Sequence, residues 1–111
     1  MKNRNLDHSD NWATPPDLYF DLDLEFGFDF DPCPLHADFD GLDPAVQWGK
    51  MNFINPPYSL KLKAAFVQRA VIEKLKGRGS VLLLPVSTST KLFHQYIKPV
   101  ANEIRFLEGR V

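Results

Sequence analysis

The fold of this chain is decided by one stretch of sequence, Met51-Asn52-Phe53-Ile54-Asn55-Pro56-Pro57-Tyr58. Its first half is a short apolar run, which predicts a strand buried in a sheet. Paired prolines cannot continue a central ladder of backbone hydrogen bonds, so the strand must end before them. We therefore predict a stiff loop made of Asn55, Pro56, Pro57 and Tyr58 at the carboxyl end of a buried strand.

The residues before this strand predict a helix and a second short strand. Thr14 offers a capping hydroxyl and is followed by a proline that the first helical turn tolerates, so a helix should run from about Pro15 to Phe26. Residues 28–31 alternate between apolar and acidic side chains, which predicts a strand that brings Asp31 to its carboxyl end. The expected buried stripe of the helix consists of Leu18, Tyr19, Leu22 and Phe26.

The residues after the loop continue the alternation of helix and strand. Residues 60–76 carry apolar side chains at helical spacing, and the run 80–85 predicts a central strand buried on both faces. Residues 87–90 should cap a helix that runs to about residue 97, and residues 103–107 should form a last strand. The predicted class is therefore α/β, a compact fold with a mainly parallel sheet flanked by helices. The stripe expected on the long helix is Leu62, Ala65, Phe66, Ala70, Val71 and Leu75.

Charge is divided unevenly between the two halves of the chain. The net charge is -1, but residues 1–58 carry 3 basic and 11 acidic side chains, whereas residues 59–111 carry 10 basic and 3 acidic ones. A basic half can face a phosphate backbone, yet lysine-rich helix faces are often simply solvated, and charge alone favours the second interpretation. The candidate phosphate-facing side chains are Lys61, Lys63, Lys74, Lys76, Arg78 and Lys91.

Length and composition narrow the class of protein. The 111 residues suffice for one domain, and residues 1–11, which lack an apolar period, predict a flexible arm before it. No run approaches the roughly 18 apolar residues of a membrane span and the N-terminus is unlike a signal peptide, so we expect a cytoplasmic protein. The single cysteine, Cys33, is interpreted as a packed residue. A metal site with His8 and His36 is the weaker alternative, and we expect no metal.

The loop fits the chemistry of methylating an exocyclic amine. Such a nitrogen is a poor nucleophile because its lone pair is delocalised. Two fixed hydrogen-bond acceptors would stabilise it as it becomes pyramidal. The side-chain oxygen of Asn55 and the carbonyl of Pro56 can accept from its two N–H groups, while the prolines limit reorganisation. Tyr58 offers a flat face on which an extruded base can stack. The alternative is an ordinary proline turn with a packed tyrosine, and the strand before the loop favours function.

Further motifs accompany the loop and together suggest a family. Residues 12–111 resemble the small phage-encoded Dam-like DNA N6-adenine methyltransferases along nearly their whole length. This joint match is more specific than the Asn-Pro-Pro-Tyr motif, which many amino methyltransferases share. Besides that motif, the similarity is carried by residues 12–16 (WATPP), 26–31 (FGFDFD), 40–42 (DGL), 83–90 (LLPVSTST), 93–94 (FH) and 104–110 (IRFLEGR).

The resemblance implies a Rossmann-like methyltransferase domain that uses S-adenosylmethionine to methylate a flipped adenine in DNA. Thr14 would bind the methionine carboxylate of the cofactor, Asp31 would lie beside its methionine end, and Asp40 would accept from its adenine amine. In the plainer interpretation Thr14 only caps a helix and both acids are solvated turn residues. The resemblance also implies a bacterial host cell, a phage or prophage origin and a place in restriction-modification. The implied catalytic residues are Asn55, Pro56, Pro57 and Tyr58.

The chain departs from larger methyltransferases at three points. Residues 32–35 stand where those enzymes have a glycine turn, and only eight residues separate Asp31 from Asp40. We also expect the sheet to lack the C-terminal strands with which relatives continue after Arg110. Other functions left open are methylation of cytosine N4 or of a protein glutamine, and a non-catalytic module that binds DNA or a partner chain.

Overall fold

A computed structural model describes residues 13–85, 90–105 and 107. Helices and strands alternate along the chain, and both strands are parallel, so the predicted α/β class is confirmed. No helix in the described ranges is both long and apolar enough to cross a bilayer. The elements are α1 (Pro16–Phe26), β1 (Met51–Ile54), α2 (Leu60–Leu75), β2 (Gly79–Leu82) and α3 (Thr90–Leu92), which continues as one π-helical segment (Phe93–Ile97).

The sheet is built around β1. Strand β2 pairs with it in parallel from Met51 opposite Gly79 to Ile54 opposite Leu82, and α2 forms the crossover between them. On the other side of β1, Phe30 forms a single parallel bridge with Asn52. The predicted strand at 28–31 is thus reduced to this bridge, because Pro32 follows it and cannot donate to a ladder.

The core lies between the sheet and α2. Its buried cluster consists of Cys33, Trp48, Ile54, Phe66 and Ala70. The Trp48 ring stacks on Phe66, and its indole N–H donates to a backbone carbonyl in the turn at residue 41 at 2.8 Å. Because a buried indole needs such an acceptor, this hydrogen bond ties the irregular segment 35–50 to the core. Cys33 is buried, as its interpretation as a packed residue requires.

Helix α1 lies against the sheet less deeply than the sequence predicts. The four side chains of its predicted stripe are half-buried, and no residue of α1 is fully buried. Tyr19 makes the main contact, because its ring meets those of Phe28 and Phe53. The helix ends where predicted, at Gly27, whose φ of 69° and backbone hydrogen bond to Asp23 form a left-handed cap.

The inward face of α2 differs in part from the prediction. Phe66 and Ala70 are buried as expected, but Leu75 is 84% exposed and was wrongly placed in the stripe. Buried charge replaces it: Glu73 points inward and is held by Arg69 at 2.8 Å and by Arg78 at 3.3 Å. Burial alone would favour the neutral acid, but these hydrogen bonds prevail and hold the pKa of Glu73 below its ordinary value.

Two predictions for the C-terminal third are wrong. Strand β2 is half-buried instead of buried on both faces, because β1 is its only strand neighbour within the described residues. Residues 103–105 and 107 form no strand. Arg105 instead forms ion pairs with Glu25 and Glu103 and lies over the ring of Phe26, so side-chain contacts hold this segment against α1. The predicted capping residues 87–89 lie outside the described residues.

Candidate active site

The candidate site lies at the carboxyl edge of the sheet. Asn55 directly follows β1, and Asp31 directly follows the residue that bridges to β1. The bridge between Phe30 and Asn52 is parallel, so both chain segments leave the sheet at the same edge. This is the edge at which open α/β sheets bind ligands. The structure therefore places the loop and Asp31 at the same edge of the sheet, as the sequence predicts.

Thr14 joins the site through a direct contact with Asn55. The side-chain nitrogen of Asn55 donates a hydrogen bond to the Thr14 hydroxyl oxygen at 2.9 Å. Thr14 does not cap α1, because the cap position is Pro15 and no side-chain hydrogen bond closes that end of the helix. The expected capping role of Thr14 is therefore wrong. Its hydroxyl instead orients the amide of Asn55, which places the amide oxygen on the side away from Thr14.

The prolines anchor the loop and leave its aromatic ring outside. Pro56 and Pro57 are buried, whereas Tyr58 is 48% exposed. Ser59 then caps α2, with its hydroxyl accepting from the backbone N–H of Leu62 at 3.5 Å. Because the loop is fixed at both ends, the exposed ring of Tyr58 is attached to a rigid segment of backbone. An ordinary proline turn with a packed tyrosine does not describe this geometry.

Asp31 is a largely desolvated carboxylate. One of its oxygens accepts from the backbone N–H of Cys33 at 2.8 Å. Burial raises the pKa of Asp31 to about 6, and the hydrogen bond from Cys33 only partly opposes this shift. No basic side chain in the described part of the chain forms an ion pair with it. A positively charged group brought to this carboxylate would therefore gain more than it would at a solvated acid.

Asp40 belongs to a turn packed against the turn of Asp31. It is 7% exposed, and one of its oxygens accepts from the backbone N–H of Leu42 at 3.0 Å. Gly41 explains the proximity, because a Cβ atom there would lie 1.7 Å from the carbonyl oxygen of Pro32. Asp40 is thus a buried acid of the same region, and the interpretation as a solvated turn residue is wrong. Sequence reasoning identified the turn but missed the role of Gly41 as the contact point.

Lys63 is one of the candidate phosphate-facing side chains, and the sequence did not predict that it is buried. It lies on the inward face of α2 and is 6% exposed. The helical spacing of Lys63, Phe66 and Ala70 was the available signal, because a lysine in register with buried residues is forced toward the core. Within the described ranges, no group of three His, Cys, Asp or Glu side chains is placed to hold a metal ion. His8 lies outside those ranges.

Comparison with known proteins decides the family. The family model described as DNA N-6-adenine-methyltransferase (Dam) matches residues 2–111. The chain belongs to this family. The Dam assignment confirms the predicted relationship to DNA adenine methyltransferases and, with it, DNA as the partner of the family. No curated protein and no solved structure matches the chain.

Proposed function

We propose that this Dam-family chain methylates the N6 amino group of adenine in DNA, with S-adenosylmethionine as the methyl donor. The observation that carries the proposal is the hydrogen bond from Asn55 to Thr14, at the same edge of the sheet as the desolvated Asp31. It joins the residue proposed to hold the target amine to a residue proposed to hold the cofactor. Methyl transfer requires these two ligands to meet end to end, so contact between their protein partners is the expected arrangement.

The loop supplies the acceptors for the target amine. Because the Asn55 nitrogen donates to Thr14, the Asn55 oxygen is the end proposed to accept from one N–H of the adenine. The carbonyl of Pro56 accepts from the other N–H, and these hydrogen bonds become stronger as the nitrogen becomes pyramidal. The exposed ring of Tyr58 stacks on the base after its extrusion from the duplex. No strong base is needed before attack, since the amine proton becomes acidic only as the new C–N bond forms.

The residues around the loop fit the proposed cofactor. S-adenosylmethionine supplies a methyl group activated by a sulfonium, and its methionine end carries an ammonium and a carboxylate. The desolvated carboxylate of Asp31, which lacks an ion pair in the described part of the chain, suits the cationic end. The Thr14 hydroxyl suits the carboxylate, and the buried Asp40 suits the adenine amine of the cofactor.

The test is a product analysis. The purified chain is incubated with isotopically labelled S-adenosylmethionine and unmethylated duplex DNA, and the DNA is then digested to nucleosides for mass analysis. We expect label in N6-methyladenine and in no other nucleoside. Label in N4-methylcytosine would overturn the assigned acceptor. An absence of labelled nucleoside, with binding of S-adenosylmethionine intact, would overturn the catalytic proposal.

A further inference from the structure

We propose that Lys63 binds a phosphate of the DNA strand that carries the target adenine, at the mouth of the catalytic loop. This inference rests on the proposed function and adds to it a contact with the DNA backbone. It follows from where α2 begins, from the burial of Lys63 and from the charges around the first turn of the helix.

Lys63 is placed close to the loop by the geometry of α2. The helix starts at Leu60, immediately after the loop, and the backbone N–H of Lys63 donates to the carbonyl of Ser59 at 2.8 Å. Side chains of an α-helix lean toward its N-terminus, so that of Lys63 extends back over the first turn. That turn lies at the carboxyl edge of the sheet, where Tyr58 presents its ring. This geometry favours an ammonium at the same edge as the proposed base pocket.

Lys63 has a buried stem and no anionic partner in the described residues, which distinguishes it from Glu73, the other charged residue on the inward face of α2. Lys63 is 6% exposed, and among the described residues it forms no hydrogen bond or ion pair through its ammonium. Glu73 is buried to a similar degree but is surrounded by Arg69, Arg78 and Lys76. Nζ of Lys63 is not among the buried side-chain atoms that lack a partner, so its stem is buried while its ammonium reaches solvent. The ammonium is therefore accessible to an anion that approaches from outside.

The charges around the ammonium favour an anion as its ligand. The first turn of α2 contains no acidic residue, and the exposed Lys61 adds a second positive charge there. The free N–H groups of a helix N-terminus are themselves positive, so cations in the first turn are unfavourable unless an anion joins them. Together these groups form a positive patch at the mouth of the loop, which suits a phosphate.

DNA is the source of that phosphate in the proposed reaction. A base that stacks on Tyr58 remains joined to its strand, so its flanking phosphates must pass close to the loop and to the start of α2. The carboxylate of the cofactor is the other anion of the reaction, but the proposed function pairs it with Thr14. The stem of Lys63 is buried along its length, and its ammonium ends at the edge of the sheet. The ammonium is therefore suited to position a DNA backbone that passes outside the protein.

The experiment measures DNA affinity against salt concentration for the full chain. Lys63→Met removes the charge and keeps the stem, Lys63→Gln is a second neutral variant, and Lys63→Arg restores the charge. Lys50→Met is the matched control, because Lys50 is exposed at the opposite edge of the sheet, before β1. Binding of a duplex is measured without methyl donor over a series of KCl concentrations, and binding of S-adenosylmethionine is titrated separately. Thermal unfolding checks that each variant is folded.

We expect Lys63→Met and Lys63→Gln to weaken DNA binding about tenfold at low salt and to reduce the slope of log K against log salt by about one. Lys63→Arg and Lys50→Met should keep the wild-type slope, and all variants should bind S-adenosylmethionine normally. Unchanged slopes in both neutral variants would overturn the inference, as would loss of cofactor binding in place of DNA binding. If the wild type methylates DNA but the neutral Lys63 variants keep the wild-type salt slope, only the role of Lys63 is refuted. If the salt slope depends on Lys63 but the wild type does not methylate DNA, only the catalytic proposal is refuted.

Discussion

The side-chain nitrogen of Asn55 donates a hydrogen bond of 2.9 Å to the hydroxyl oxygen of Thr14, 41 residues earlier in the chain. This contact connects the loop after β1 with the segment before α1, and it leaves Thr14 outside the cap of the helix that follows. Two residues that the sequence associates with different ligands thus form one unit. A substitution at Thr14 should therefore affect the binding of the target amine as well as the binding of the cofactor.

Thr14→Val tests this unit. Valine keeps the shape of threonine but cannot accept from Asn55, so the amide loses its orientation. We expect the rate of methyl transfer to fall by at least about tenfold, because misplaced catalytic groups are costly even when they are present. Thr14→Ser keeps the hydroxyl and should retain most of the rate. Single-turnover kinetics measures the effect, and equal rates for the valine and serine variants would contradict it.

Asp31→Asn should raise the free energy of unfolding and weaken the binding of the cofactor. The raised pKa of Asp31 means that the folded protein binds a proton more tightly than the unfolded chain, whose carboxyl titrates near 3.8. The folded state is therefore penalised increasingly as pH rises from about 4 to about 6, by a total on the order of 3 kcal/mol, and the penalty stays constant above that range.

The neutral Asp31→Asn variant removes this penalty. Denaturant unfolding at pH 8 should show a gain on the order of 1 to 3 kcal/mol in the free energy of unfolding, and the gain should shrink toward pH 4. S-Adenosylmethionine should bind the variant much more weakly at pH 8. Its affinity for the wild type should fall as pH drops below about 6, because protonation removes the charge. Normal cofactor affinity in the variant would exclude Asp31 from the cofactor site.

Tyr58 should act through its ring and not through its hydroxyl. The ring is half exposed on a loop whose prolines are buried, so its removal should leave the fold intact. Tyr58→Phe should keep near-normal methylation. Tyr58→Ala should lose the stacking free energy of one base, about 1 to 3 kcal/mol, and show it as weaker DNA binding or a higher KM for DNA. Equal behaviour of the two variants would indicate that no base stacks there.

Gly41→Ala tests the packing of the two acidic turns. A Cβ atom at residue 41 would overlap the carbonyl oxygen of Pro32, so the turns of Asp31 and Asp40 must separate. We expect a loss of at least about 2 kcal/mol in the free energy of unfolding, together with weaker cofactor binding. Gly27→Ala is the control, since its positive φ costs only about 1 kcal/mol and a Cβ there meets no atom within 4 Å. A wild-type melting curve for Gly41→Ala would contradict the close approach.

The sequence predicts the backbone around the loop and the end of α1 better than it predicts the edges of the sheet. The loop at 55–58 and the end of α1 at Gly27 were predictable because proline and glycine act on the backbone locally. The inward position of Lys63 and Glu73 and the exposure of Leu75 depend on which face of α2 meets the sheet. Hydrophobicity alone predicts only part of that face, including Phe66 and Ala70. The predicted strand at 103–107 has the right local pattern, but the ion pairs of Arg105 with Glu25 and Glu103 hold this segment against α1, and no local pattern predicts such contacts. The bond between Thr14 and Asn55 joins distant segments and left no local signal.

The substitution Asn55→Ala tests the central claim most directly. Methyl transfer to DNA adenine and the affinity for S-adenosylmethionine are measured on the same preparation, with Asn102→Ala as the control at an exposed asparagine beyond the π-helical segment. The account predicts that Asn55→Ala abolishes transfer and changes cofactor affinity little, while Asn102→Ala behaves as wild type. Transfer at the wild-type rate by Asn55→Ala would contradict the assignment of the catalytic loop.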